Sequence, residues 1–197
     1  MILRTAATSL ALCLFLSATA VAQSLQVAGI EIAEQVSLDG QKLLLNGSGV
    51  RKLFGFRVYV AALYLPSPAR SASRVLERDQ PRRLQITLLR DTSTEQNLDA
   101  LKEGLIDNNS EAEMEALRPE VNRFFASIQQ VQAVPAGTVI LIDYLPGKGT
   151  QSRIGKQELG LIPGARFNRA LLKIWLGDKP IQTSLKQALL SSDVPTL

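Results

Sequence analysis

Between Val27 and Leu65 short runs of β-forming residues alternate with tight turn signals, and this stretch commits the chain to an antiparallel sheet. "VAGIEIAEQVSL" is followed by Asp39-Gly40, "QKLLL" by Asn46-Gly47, and then comes the long run "GSGVRKLFGFRVYVAALYLP", Gly47 to Pro66. Asp-Gly and Asn-Gly both tolerate the positive φ of two-residue hairpins, so a turn is expected at each. The small residues after Asn46 read as a flexible turn that delivers Arg51 to the next strand. A further hairpin turning at Phe54-Gly55 would pair Val50 to Leu53 with Phe56 to Leu65. A two-residue loop sets Arg51 opposite Val58, whereas a three-residue loop centred on Gly55 sets it opposite Tyr59. In the second register a guanidinium and a phenol stand side by side, a pair suited to a carboxylate, phenolate or enolate. Otherwise Arg51 and the tyrosines at 59 and 64 are residues of a sheet rim.

Beyond Pro66 the pattern changes period. A short helix is expected around Ser71 to Glu77, then a half-buried strand in "RRLQITLLR", where Leu84, Ile86 and Leu88 alternate with polar residues. Thr92 and Glu95 form a capping box for a helix whose Leu98, Leu101, Leu105 and Ile106 share one face. Ser110 and Glu113 repeat the signal, and Pro119 kinks or restarts the second helix. A strand from Thr138 to Tyr144, a Pro-Gly turn and a partner strand ending near Ile154 follow, and Gly155-Lys156 then turns into "QELGLIPG". "GARFNRALLKIWLG" closes as a helix with Phe167, Leu171, Ile174 and Trp175 inward and Gly177 as its cap. A last helix covers Thr183 to Leu190. Strands, a helix pair, strands and helices in that order mean an α+β domain with an antiparallel-rich sheet.

The N-terminus stands apart. Arg4, the apolar run Leu10 to Leu16 and "SATAVAQ" have the three-part layout of a secretory signal with cleavage after Ala22, which implies export and, in a periplasm-bearing cell, a periplasmic location. The apolar core falls short of the roughly 20 residues a spanning helix needs. Residues 23–197 then form one domain. The single cysteine, Cys13, lies in the signal, preceded by Leu12 rather than by the small residue of a lipoprotein signal, and the chain has no histidine. That removes disulfides, ordinary zinc sites, His-ligated haem, a Ser-His-Asp triad and a thiol nucleophile, and no metal or cofactor is expected. Losing Arg4 lowers the formal charge from +4 to +3, a balance that does not announce a nucleic-acid binder. Arg70, Arg74 and Arg78, four apart, share a helical face that is either solvated or a peripheral contact with anionic lipid.

"PGKGT" at Pro146 to Thr150 lacks the spacing and the following helix of a phosphate loop and reads as a hairpin turn. "DNNSEAE" lacks the ligand spacing and central glycine of a calcium loop and reads as a connection between capped helices. Chemistry therefore concentrates on the stretch around Arg51.

"GSGVR" followed by "VYVAALYL", "RLQITLLRDTS" opening a helix, the strands around "VILIDYLPGKG" and the terminal "IPGARFNRALLKIWLGDKP" together resemble the bacterial chalcone isomerase-like domain from about Val27 to Leu190. The resemblance implies a large antiparallel sheet packed against a layer of helices, with an apolar cleft between them. Plant relatives isomerise chalcones to flavanones by intramolecular addition of a phenolate to an enone; others bind fatty acids without known catalysis. In both branches the arginine of the G-x-G-V-R motif points into the cleft, which carries over to Arg51. The catalytic partners do not carry over: Tyr59 stands at a threonine position, Gln96 and Glu103 near a catalytic tyrosine and asparagine, and Gln157 near a substrate-contacting threonine. The expectation is a periplasmic, non-catalytic binder of a small amphipathic ligand such as a fatty acid, with Arg51, Tyr59 and Tyr64 as binding residues. The alternative is an isomerase of the intramolecular-lyase type, with Arg51 its catalytic residue. A third reading is an interaction module whose cleft is filled by its own side chains.

Overall fold

The computed structural model describes residues 24–131 and 133–192; the expected signal segment and cleavage position lie outside them. The architecture is α+β. Seven strands form one antiparallel sheet in sequence order: β3 (Gln35–Leu38), β4 (Gln41–Leu53), β5 (Phe56–Leu65), β6 (Arg82–Leu88), β7 (Val139–Leu145), β8 (Gly149–Ile154) and β9 (Gln157–Pro163). A separate hairpin, β1 (Ser24–Val27) with β2 (Ile30–Ala33), precedes it. Helix α1 (Ala72–Glu77) joins β5 to β6; α2 (Thr94–Asn108), α3 (Glu111–Ala116) and α4 (Arg118–Gln129) join β6 to β7. Helices α5 (Ala165–Leu176) and α6 (Thr183–Leu189) follow β9. Among the described residues no helix is long and apolar enough to cross a membrane.

The interior strand β5 explains the layering. From Val60 to Leu65 β5 is buried at every position, because both faces of the sheet are covered. Side chains alternate with a period of two, so Ala61, Leu63 and Leu65 enter the core under the helices with Phe124, Phe167 and Trp175. Val60, Ala62 and Tyr64 enter a second core on the opposite face, closed by Ile32 of the β1–β2 hairpin together with Leu43, Leu45 and Leu145.

The Asn46-Gly47 signal is not a turn. Strand β4 runs straight through it, with a register shift between Leu45 and Gly47 that makes Asn46 the extra residue of a β-bulge. The buried Asn46 amide donates to the carbonyls of Ala69 (2.9 Å) and Leu189 (2.7 Å) and accepts from the Ala69 N–H (2.7 Å), tying the strand to two distant segments. The small residues that follow serve close approach rather than flexibility: a Cβ on Gly47 would lie 2.1 Å from the Ala188 carbonyl oxygen, and one on Gly49 2.7 Å from the Ala188 Cβ. Helix α6 therefore lies directly on the backbone of β4.

Helix ends follow local chemistry closely. Ser93 and Gln96, one residue beyond the expected Thr92 and Glu95, form the capping box of α2, while Ser110 and Glu113 cap α3 as read. Pro119 sits in the first turn of α4, where its missing N–H costs nothing, so it restarts the helix.

Candidate functional site

The hairpin between β4 and β5 turns at Phe54 and Gly55, both with positive φ (49° and 82°), in a two-residue loop that pairs Leu53 with Phe56 and Lys52 with Arg57. Taken alone that loop would set Arg51 against Val58. A second register shift intervenes: Arg51 pairs with Tyr59, leaving Val58 as the extra residue on β5. The neighbours are those of the longer-loop register, reached through a bulge.

Tyr59 stands where the sheet and the helices part. A cavity of about 100 Å³ opens between them, walled by apolar side chains that include Ile86, Ile142, Phe124 and Ile174. It reaches the surface at Ala100 on α2, which is solvent-exposed. Four walls carry polar groups: Tyr59, Trp175, Asn97 and Ser152. The Trp175 indole N–H donates to the Tyr59 hydroxyl at 2.9 Å, which leaves the phenol hydrogen free to donate onward. Burial pushes the Tyr59 phenol up to about 12, against the opposing pull of the Trp175 hydrogen bond and the Arg51 charge. The Ser152 hydroxyl is buried without a hydrogen-bond partner among the described residues. Asn97 is steadied by donating to the Thr92 hydroxyl at 3.0 Å.

Arg51 lies beside Tyr59 but is not itself a wall of the cavity. One of its terminal nitrogens donates to the Gln182 side-chain oxygen (3.2 Å) and to the Lys52 carbonyl. Gln182 precedes α6 and also accepts from the Lys52 N–H (2.8 Å) and donates to the Val50 carbonyl (3.1 Å). Its neighbour Ile181 is a cavity wall, so Arg51 is held at the Tyr59–Ile181 end. Tyr64, expected to join this group, is not brought to the cavity. Five residues from Tyr59, it projects from the other face into the second core, where its hydroxyl is buried without a partner and pushed up to about 12 by burial. Of the positions matched to catalytic residues, Gln96 is spent in the α2 capping box, and Glu103 and Gln157 are exposed.

The cavity walls offer apolar contact and a few hydrogen-bonding groups. No wall carries a carboxylate, lysine or histidine, and the one titratable wall, Tyr59, is neutral at physiological pH and far from the pKa of an effective general base. Nor do three acidic, histidine or cysteine side chains cluster as a metal site anywhere among the described residues.

An antiparallel sheet with helices laid over one face and an apolar cleft between the layers defines an α+β fold class, and the class by itself fixes no function. The chain belongs to the chalcone isomerase-like family, whose model matches residues 23–191. Among solved structures it is similar to a fatty-acid binding protein of Arabidopsis thaliana, with a TM-score of 0.68 over 86% of this chain and 97% of that one. At 14% identity this likeness speaks for the fold alone. No curated protein sequence matches the chain significantly.

Proposed function

We propose that the protein is a non-catalytic binder of a small amphipathic, anionic ligand such as a fatty acid, held in the cleft between sheet and helices. The observation that carries this reading is the apolar cavity with the hydrogen-bonded Tyr59–Trp175 pair in its wall, beside a fixed arginine. An acyl chain fits the isoleucine and leucine walls. Arg51 supplies positive charge for a carboxylate and Tyr59 a hydrogen-bond donor. At about 100 Å³ the cavity is smaller than the roughly 300 Å³ of an ordinary ligand pocket, so taking up a long chain requires its walls to move apart. The fatty-acid binding of the Arabidopsis protein agrees with this choice of ligand class. We also propose export to the periplasm, which N-terminal sequencing of the exported protein tests by a start at Gln23.

The experiment is solvent extraction and native mass spectrometry of purified wild type and Arg51→Ala. The expected result is an acyl-class ligand in the wild type that is lost in the variant without a change in melting temperature, since Arg51 is partly exposed and its side chain, among the described residues, bonds to Gln182 and the Lys52 carbonyl. An empty wild type, or a variant that unfolds, would favour a structural module. The second reading, an intramolecular lyase, draws on the Arg51–Tyr59 adjacency, which could stabilise an oxyanion. It requires chalcone absorbance to fall faster than the spontaneous rate, and a flat trace removes it.

A further inference from the structure

The tip of the β4–β5 hairpin is built against the usual rules for a turn. Phe54 occupies a left-handed position (φ 49°) that favours glycine, asparagine or aspartate, and it is 91% exposed. Its neighbours Phe56 and Leu53, the paired strand ends, are 64% and 47% exposed, so three large apolar side chains stand exposed at and beside one two-residue loop. Nothing in folding rewards this, because none of the three is buried and the backbone at Phe54 is strained.

Cations surround the tip. Lys52 and Arg57 pair across the strands just behind it, Arg51 follows, and the Arg90 guanidinium lies 5.4 Å from the centre of the Phe56 ring. From Gln41 to Leu65 the two strands contain no acidic residue. None of these four cations forms an ion pair among the described residues. The tip thus combines exposed aromatic and aliphatic groups with a collar of unneutralised positive charge.

We infer that this hairpin tip is a membrane-docking element that inserts Leu53, Phe54 and Phe56 into the interface of an anionic bilayer while Lys52, Arg57 and Arg90 contact the lipid phosphates. Apolar residues with basic neighbours are the combination that binds such interfaces, the apolar groups by burial and the cations by attraction to negative headgroups. A second copy of the chain is disfavoured because it would bring two such collars together. A protein partner is disfavoured because a single loop tip offers far less than the roughly 800 Å² per side of a stable interface. The inference is independent of what occupies the cleft. It also moves the lipid contact away from Arg70, Arg74 and Arg78, which do not form the expected helical face because only Arg74 lies within α1.

Vesicle co-sedimentation tests it, with phosphatidylcholine alone and with phosphatidylcholine mixed with phosphatidylglycerol. The wild type is expected to sediment with the anionic vesicles at low salt and to be released as salt screens the collar. Phe54→Gly is expected to bind about tenfold more weakly or less while melting at the same or a higher temperature, since glycine relieves the turn. The Lys52→Glu/Arg57→Glu double variant loses binding, and Arg74→Glu on α1 keeps it. The inference is overturned if the wild type ignores both vesicle types, if Phe54→Gly binds like wild type, or if Arg74→Glu alone abolishes binding. Sedimentation velocity without lipid supplies the last check: a wild-type dimer that Phe54→Gly converts to monomer would mean the tip joins two copies instead.

Discussion

Tyr59 and Tyr64 stand on one strand, both with phenols pushed up to about 12, yet the two faces they occupy differ in kind. On the helix face Tyr59 is hydrogen-bonded by Trp175 and looks into a cavity. On the opposite face Tyr64 is packed among Ile32, Leu45 and Leu145, its hydroxyl without a partner. Ile32 of the β1–β2 hairpin closes the core on Tyr64's face, whereas the helix face encloses a cavity. A raised phenol pKa therefore reports burial on either face and does not by itself mark a site; a cation stands near each phenol, and the hydrogen bond and the cavity distinguish Tyr59.

The largest expected effect tests how closely the helix face is packed where it has no cavity. Gly47→Ala drives a Cβ toward the Ala188 carbonyl and should cost about 3 kcal/mol, at the upper end for overpacking, read as a lower melting temperature. An unchanged melting temperature would show that α6 sits loosely on β4.

High pH probes the dryness of both faces. With the folded phenols near 12 and the unfolded ones near 10, folding favours the protonated form. Their contribution is thus fully present below pH 10 and is lost as pH rises from 10 toward 12. Phenolate absorbance should stay flat to about pH 11, and thermal stability should fall across that window. Tyr59 ionising well before Tyr64, resolved by comparing Tyr59→Phe with Tyr64→Phe, would mean that the cleft is wet.

The smallest effects separate the tyrosines by sign. Tyr59→Phe strips Trp175 of its acceptor and should cost about 1 kcal/mol while weakening ligand retention. Tyr64→Phe removes an unsatisfied buried hydroxyl, so it should leave stability unchanged or raise it by up to about 1 kcal/mol, with ligand retention intact. Equal effects of the two changes on ligand retention would break the contrast between the faces.

Much of this was legible beforehand. Helix starts at Ser110 and Pro119, the Phe54-Gly55 and Pro146-Gly147 turns and the late strand pair follow from short-range chemistry, and the structure has them where the local signals place them. The separation of Tyr59 from Tyr64 was also available, since an odd spacing on a strand means opposite faces. Asn46-Gly47 misled because the same dipeptide that suits a hairpin turn also suits a bulge, and only the carbonyls of Ala69 and Leu189 decide between them. Trp175 was readable as inward-facing, but its partner lies 116 residues away and has no local signature. Ser152 and Asn97 carried no signal as cavity walls.

The sequence by itself determined the α+β order of strands and helices, the Phe54-Gly55 and Pro146-Gly147 turns, and a chain without histidine whose one cysteine is Cys13, because period, turn propensity and composition are properties of neighbouring residues. Tertiary structure alone decided that Arg51 faces Tyr59, that glycines carry α6, and that one side of the sheet encloses a cleft. A void is what remains when elements distant in the chain fail to fill the space between them, and no short stretch of residues records that remainder.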